Sequence, residues 1–200
     1  MVLSRPLVLA SRSPRRLALL SQIGFSARVM SCDIPEDFHD ELTPAENAMR
    51  LARLKAECVA GGVEEGIVLG ADTIVVIDGQ ILNKPADSGD AVRMLTMLSG
   101  RTHTVYTGFA LIDVPSGRIR SGVEETRVTF RQIPQAEIQE YVSGGSPLDK
   151  AGAYGIQDDY GAVFVTRIEG CYYNVVGLPL ARVFSELKAM AGDGMQASAG

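Results

Sequence analysis

The chain lacks tryptophan altogether and has only two histidines and three cysteines in 200 residues. His39 and His103 are far apart and share no metal-ligand spacing, which argues against a histidine metal site. Cys32, Cys58 and Cys171 are odd in number and have no paired spacing. They point to a reducing compartment and away from a disulfide framework or a zinc site. The longest apolar runs, such as residues 7–10 and 74–77, fall far short of the ~20 residues that cross a bilayer. Near the N-terminus, Arg5, a short apolar run and then Arg12, Arg15 and Arg16 do not make the longer apolar stretch of a signal peptide, so the expected location is cytoplasmic. No Lys/Arg-rich stretch is present and the net charge is -5, which speaks against a broad nucleic-acid face but leaves room for a small anion held by a few focused cations. A Gly-x-Ser-x-Gly elbow, a Walker loop and a dinucleotide fingerprint are all missing, and no serine has an obvious base.

What is present is 46% hydrophobic residues, enough for one substantial core or two small lobes. Residues 6–11 read as a buried strand, and Ser13-Pro14 as a helix start running to Gly24. Thr43-Pro44-Ala45-Glu46 is a capping box that opens a second helix towards Gly61. Strands are expected at 67–71 and 73–77 with a turn at Asp78-Gly79, a helix at 88–98, and two long strands at 103–113 and 119–130 forming a hairpin. A helix at 134–143, an ordered Gly-rich loop at 146–161, a strand at 162–168 and a last helix at 178–190 complete the folded part. The fold class is α/β, a mixed sheet with flanking helices. Residues 1–191 form the domain, and 192–200, without apolar pattern, read as a disordered tail.

Several residues do little for folding. Cations at a helix N-terminus are disfavoured by roughly 0.3–1 kcal/mol each, yet Ser11-Arg12-Ser13-Pro14-Arg15-Arg16 places two arginines in a first turn and a third just before it. With exposed backbone N–H groups this makes an anion receptor placed directly after a buried strand; a solvated basic helix end is the plainer reading. Asp72 sits between two very apolar stretches, at a strand end or sharp bend. It needs a cation, a metal or a donor network to offset its burial, or it bonds neighbouring backbone N–H groups in a turn. Glu36, in Asp33-Ile34-Pro35-Glu36-Asp37, is the candidate second carboxylate of an oxygen-only site suited to Mg²⁺ or Mn²⁺, unless this acidic loop is simply solvated. Lys55 and Lys84 either extend into water or complete a triphosphate site. Gln157 offers donor and acceptor to a base edge, or is an ordinary turn residue.

Taken in order, these segments resemble the Maf family of nucleotide pyrophosphatases. The likeness covers roughly residues 6–190. It rests on Leu9-Ala10-Ser11-Arg12-Ser13-Pro14-Arg15-Arg16, Ala52-Arg53-Leu54-Lys55-Ala56, Gly70-Ala71-Asp72-Thr73, Leu82-Asn83-Lys84-Pro85, Leu98-Ser99-Gly100-Arg101, Asp149-Lys150-Ala151-Gly152-Ala153-Tyr154-Gly155-Ile156-Gln157 and Asn174-Val175-Val176-Gly177-Leu178-Pro179. The resemblance implies two lobes around a deep cleft, a fold related to inosine triphosphate pyrophosphatases, and often a homodimer. It implies hydrolysis of a nucleoside triphosphate to monophosphate and pyrophosphate with a divalent metal, in the branch acting on dTTP and UTP. Asp72 matches the catalytic carboxylate. Arg15, Thr73 and Gln157 match selectivity positions, Ser11, Arg16, Lys55 and Lys84 match polar groups around phosphates, and Glu36 matches an acidic residue near the metal. Two positions depart from the pattern: Pro35 stands where an acidic residue is common, and Asn83 replaces a glycine. Arg12 falls where the motif also accepts glycine. The alternative reading is a nucleotide-binding regulator of septum formation or cell division without significant turnover.

Overall fold

The computed structural model describes residues 2–157, 160–192 and 195–196. In chain order the elements are β1 (Val2–Leu3), β2 (Leu7–Ala10), α1 (Pro14–Gln22), β3 (Ala27–Met30), α2 (Pro44–Ala60), β4 (Gly66–Ile77), β5 (Gln80–Leu82), α3 (Ser88–Leu98), β6 (Thr102–Val114), β7 (Ile119–Phe130), α4 (Gln135–Ser143), β8 (Val165–Glu169), α5 (Tyr172–Val176), α6 (Leu180–Ala191) and β9 (Met195–Gln196). Short 3-10 turns fill the stretch between α4 and β8. Seven strands form one mixed sheet, ordered β3-β2-β4-β6-β7-β8 with β5 on β4. β2 pairs in parallel with both β3 and β4, whereas β4–β5 and β7–β8 are antiparallel. The expected α/β class, a mixed sheet with flanking helices, is what the chain adopts.

The chain divides into two compact units. The first takes the chain up to Asp72, Thr107–Glu124, and the chain from Gly177 on; the second takes Thr73–Tyr106 and Glu125–Val176. In the first unit, Val8, Ala10, Ala56, Val59, Val68, Ala110 and Ile112 form a core cluster. In the second, Val75, Leu82, Leu95, Val128 and Phe164 belong to another. That second core is aromatic: the rings of Phe130, Tyr154 and His103 meet edge to face at centroid separations of 4.7–5.3 Å, the arrangement that ring quadrupoles favour.

Helix α2 fixes the geometry of the first unit. Its start is the expected capping box, with Thr43 and Glu46 bonded reciprocally. Ala48, Ala52 and Ala56 recur every fourth residue and therefore share one face. That face meets glycines in the strands: a Cβ on Gly70 would lie 2.2 Å from the Ala52 carbonyl oxygen, and one on Gly108 would lie 2.4 Å from the Ala48 carbonyl. Only hydrogen at these positions lets the helix backbone come so close to β4 and β6.

Three expectations need amendment. Residues 67–71 and 73–77 are not separate strands; β4 runs unbroken through Asp72, because Lys55 supplies the buried carboxylate with the partner that a bend would otherwise have to provide. Strand β3 and helix α5 carried too short an apolar pattern to be read. Cys32 and Cys58 are joined in a disulfide, with Cα atoms 6.4 Å apart, while Cys171 is free; bridging cysteines 26 residues apart in sequence leave no local spacing to read, and the odd count is met by the free thiol. Of the tail 192–200, Gly192 and β9 are described, β9 pairing with β1; the rest of that expectation lies outside the described residues. Among the described residues no helix is long and apolar enough to cross a membrane.

Candidate active site

In the first unit, two parallel strands end side by side, and a third, β4, continues past them. β2 stops at Ala10, β3 stops at Met30, and in register with them β4 has reached Gly70. The segments leaving this edge are Ser11 to Arg16, the stretch 31–43 that contains Glu36, and Asp72 two residues further along β4. Carboxyl ends of parallel strands are where open α/β sheets take ligands, and Ser11, Arg15, Arg16, Glu36 and Asp72 lie on the segments leaving this edge.

Lys55 is the centre of the cluster. Its Nζ lies 2.5 Å from Asp72 Oδ1 and 2.6 Å from Glu36 Oε1. The Lys55 and Asp72 side chains are 16% and 11% exposed, whereas Glu36 is 50% exposed. One ammonium thus holds a sheltered carboxylate and a half-wet one together. The close approach of α2 at Gly70 is what makes this reach short, since Lys55 is adjacent to Ala56 on the helix and Asp72 is two residues beyond Gly70 on the strand.

Arg16 is the second cation. Its Nε donates to the carbonyl of Gly177 at 2.8 Å and its Nη1 to Ser11 Oγ at 3.1 Å. Ser11 Oγ also accepts from the Ser13 amide at 3.1 Å, so the strand-to-helix turn and the guanidinium share one hydroxyl. Burial lowers the Arg16 pKa below its ordinary value; Asp72 and Glu36 oppose that shift, and neighbouring Arg15 adds to it. The arginine therefore sits within electrostatic reach of both carboxylates. Helix α1 has Pro14 in its first turn, no acidic residue there and no side-chain cap from Ser13, which keeps its positive end available to an anion. Arg15 is half-buried beside Arg16. Arg12 is exposed and bonded to Asp33 at 2.8 Å and Ser31 at 3.1 Å, a surface contact that ties down the neighbouring loop.

Ser11, Arg15, Arg16, Glu36, Lys55 and Asp72 thus belong to the first unit. Thr73, Lys84 and Gln157 belong to the second. There the Gly152 amide donates to the Asn83 carbonyl at 3.1 Å, linking the segment of Lys84 to the loop of Gln157. Asn83 takes this place without a left-handed backbone, so the departure from glycine introduces no strain. Gly152 itself has φ 71°, and a Cβ on it would press on Val75 at 3.1 Å. Gln157 Oε1 is buried and, among the described residues, accepts no hydrogen bond, a costly state for an amide oxygen unless a ligand donates to it.

Sequence reasoning missed the residues that hold the Glu36 segment. Asn47, fully buried, accepts from the His39 amide at 2.9 Å and donates to the carbonyls of His39 and Leu42 at 3.0 and 3.2 Å. Arg50 donates to the Asp37 carbonyl. A polar residue one turn into an amphipathic helix looks like part of its solvated face, so only the loop folding back over it reveals the role. The Gly177 carbonyl left no side-chain signal at all.

The class so defined is a sheet-edge anion site with two carboxylates bridged by lysine. The chain belongs to the Maf-like protein family, whose family model matches residues 6–190. Among curated relatives, it is 51% identical over 198 residues to a dTTP/UTP pyrophosphatase of Salinibacter ruber, covering 98% of this chain and 96% of that one. A dTTP/UTP pyrophosphatase of Pelotomaculum thermopropionicum is 48% identical, with 92% and 96% covered. Among solved structures, the Ham1 protein of Staphylococcus aureus aligns over 63% of this chain and 72% of its own at 16% identity and a TM-score of 0.46.

Proposed function

We propose that this protein is a nucleoside triphosphate pyrophosphatase that converts dTTP and UTP to the monophosphate and pyrophosphate. The observation that carries the chemistry is Lys55 held between Glu36 and Asp72 beside the buried guanidinium of Arg16. The names of relatives about 50% identical over nearly the whole chain favour turnover over a regulator that only binds nucleotide.

Two carboxylates converging on one cation position fit a divalent ion, since Mg²⁺ and Mn²⁺ take one or two carboxylates together with substrate phosphate oxygens. Glu36 and Asp72 are the residues that would hold it. When bound, such an ion neutralises developing charge on the phosphate oxygens. Ser11, Arg15, Arg16 and Lys55 bind and orient the phosphates, supported by the positive end of α1; for Lys84, in the second unit, a phosphate role rests on the family resemblance alone. Asp72 accepts a proton from the attacking water through its second oxygen, Oδ2, while Lys55 keeps Oδ1 fixed. Water attacks the α-phosphorus and pyrophosphate leaves. Positioning and charge neutralisation supply most of the rate gain, as elsewhere in phosphoryl transfer.

The choice of base follows from Gln157. Uracil and thymine carry a donor at N3–H and an acceptor at O4, which match the amide oxygen and NH₂ of a glutamine. Cytosine presents an acceptor at N3, which would face the already unpaired Oε1 as long as the amide keeps the orientation seen here. Thr73 is the companion selectivity residue.

Pyrophosphate release from a panel of triphosphates, with Mg²⁺ or Mn²⁺ and with chelator, tests the reading. Release from dTTP and UTP, stopped by chelator, is the expected result. Asp72→Asn preserves shape and lowers kcat by about 10²–10⁴; near-normal turnover by this variant would remove Asp72 from the mechanism. Gln157→Leu erases discrimination against CTP by ~10–100-fold, and an unchanged preference would show that the base is read elsewhere.

A further inference from the structure

The bridge between Cys32 and Cys58 lies beside the residues assigned to the metal. Cys58 follows Lys55 by three positions on α2 and so shares its face. Cys32 precedes Glu36 by four residues, in the stretch between β3 and α2 that has no strand or helix. Cys32 is half-buried against the core cluster containing Ala56 and Val59, and Cys58 is exposed.

The stretch has two flanks, held differently. Beyond Glu36 it is fastened by buried Asn47 and by Arg50. Before Glu36, Arg12 is bonded to Ser31 and Asp33, between side chains 70% and 89% exposed in the ion pair. Water and salt make such exposed pairs weak. The disulfide is a covalent tie on this flank, and it fixes the chain four residues from Glu36.

We propose that Cys32 and Cys58 form a reversible thiol–disulfide pair that fastens the Glu36 segment to α2, so that oxidation tightens and reduction loosens divalent-cation binding at Glu36 and Asp72. This rests on the metal role given to those carboxylates above. A low-molecular-weight disulfide such as oxidised glutathione supplies the oxidant. The exposed Cys58 thiolate attacks one of its sulfurs, forming a mixed disulfide and expelling one thiolate. The Cys32 thiolate then attacks Cys58 Sγ and expels the second. Two protein thiols lose two protons and two electrons, and one small disulfide becomes two thiols. A Cα separation of 6.4 Å lies in the range usual for bridged cysteines. Closure acts by pre-organising Glu36, which reduces the ordering cost when a cation binds.

The test uses the whole chain, equilibrated in glutathione buffers from reducing to oxidising. Thiols are counted after acid quenching and denaturation, and Mn²⁺ binding without nucleotide is followed from the free-ion electron paramagnetic resonance signal. The expected count falls from three in the reduced protein to one, Cys171, in the oxidised. The Mn²⁺ dissociation constant is expected to be on the order of threefold larger in the reduced state, as befits one ordered side chain. Cys32→Ser and Cys58→Ser should each behave as the reduced protein in every buffer. Three titratable thiols in oxidised glutathione, identical Mn²⁺ binding in the two states, or no Mn²⁺ binding in either would overturn the proposal. Pyrophosphate release from dTTP in the same samples separates the two readings: its absence in both redox states strikes at the proposed function and leaves the thiol count and Mn²⁺ comparison standing.

Discussion

Replacing Lys55 by methionine keeps the aliphatic stem and removes the charge from between Asp72 and Glu36. The Asp72 side chain is only 11% exposed and loses a contact of 2.5 Å. Breaking a buried pair by deleting one partner costs about 3–5 kcal/mol, because the remaining charge is left uncompensated. Glu36 is 50% exposed, so its lost contact adds at most about 1 kcal/mol. Arg16 remains within electrostatic reach of Asp72 and offsets part of the loss. The expected net destabilisation of Lys55→Met is therefore about 2–3 kcal/mol, which for a chain of this size lowers Tm by roughly 5–10 °C. Two further measurements show whether the cause is the stranded carboxylate. Adding Asp72→Asn to the variant should return most of the loss, since no charge then remains to be neutralised. Mn²⁺ should raise the Tm of Lys55→Met more than that of the parent, because the ion takes over the position of the ammonium. Thermal unfolding followed by circular dichroism at fixed protein concentration reads all three proteins. A Lys55→Met variant within about 0.5 kcal/mol of the parent would refute the reasoning, as would a double variant no more stable than the single.

Gly70→Ala should destabilise the protein by about 3 kcal/mol or more and impair pyrophosphate release, since the new Cβ would stand 2.2 Å from the Ala52 carbonyl and push Lys55 away from Asp72; unaltered unfolding and activity would show that α2 yields cheaply. His103 is buried, donates to or accepts from Tyr154 at 2.8 Å, and has its pKa pulled down to about 3 by desolvation. Its folded pKa lies below the unfolded value near 6.5, so the unfolded chain binds more protons between those limits and stability falls as pH drops from 6.5. The slope from this one residue is about 1.4 kcal/mol per pH unit. Carboxylates such as Glu137, held low by Arg131, contribute mainly as pH falls through the unfolded value of 4.5, so denaturant unfolding at the upper end of the range below pH 6.5 weights the histidine. His103→Asn should flatten that segment of the profile, and an equally steep variant would assign the slope to another group.

The parts of the fold legible in the sequence are those set by local chemistry. The Thr43–Glu46 capping box, Gly24 after α1, the Asp78-Gly79 turn and the long hairpin of β6 and β7 all stand where residue pattern places them. The misreadings come from partners remote in sequence. Asp72 looked like a strand breaker because a carboxylate in an apolar run is costly alone; 17 residues upstream, Lys55 removes that cost and the strand continues. The disulfide escaped notice because Cys32 and Cys58 come together only once α2 lies against the sheet. Ser11, Arg16, Glu36, Lys55 and Asp72 were each ambiguous separately, and their convergence at one edge of the parallel strands is what makes them a candidate site.

A carboxylate in the middle of a buried strand is an unusual place for the base proposed above, and β4 shows what would make it workable. Loops can aim a side chain but also let it wander, whereas a strand flanked by Leu69 and Ile74, both essentially inaccessible, fixes the Asp72 backbone. The usual penalty of such rigidity is burial of the charge. Here the glycine–alanine contact between β4 and α2 lowers that penalty by bringing a lysine close without spending core volume on it. The same contact keeps the lysine stem sheltered, so the ion pair is held at low local dielectric where it is strongest. Had residue 70 carried a side chain, α2 would stand further out, water would reach Asp72, and a loop-borne acid would serve better. The small residues of β4 and α2, silent in any list of catalytic groups, therefore decide where the chemistry can sit.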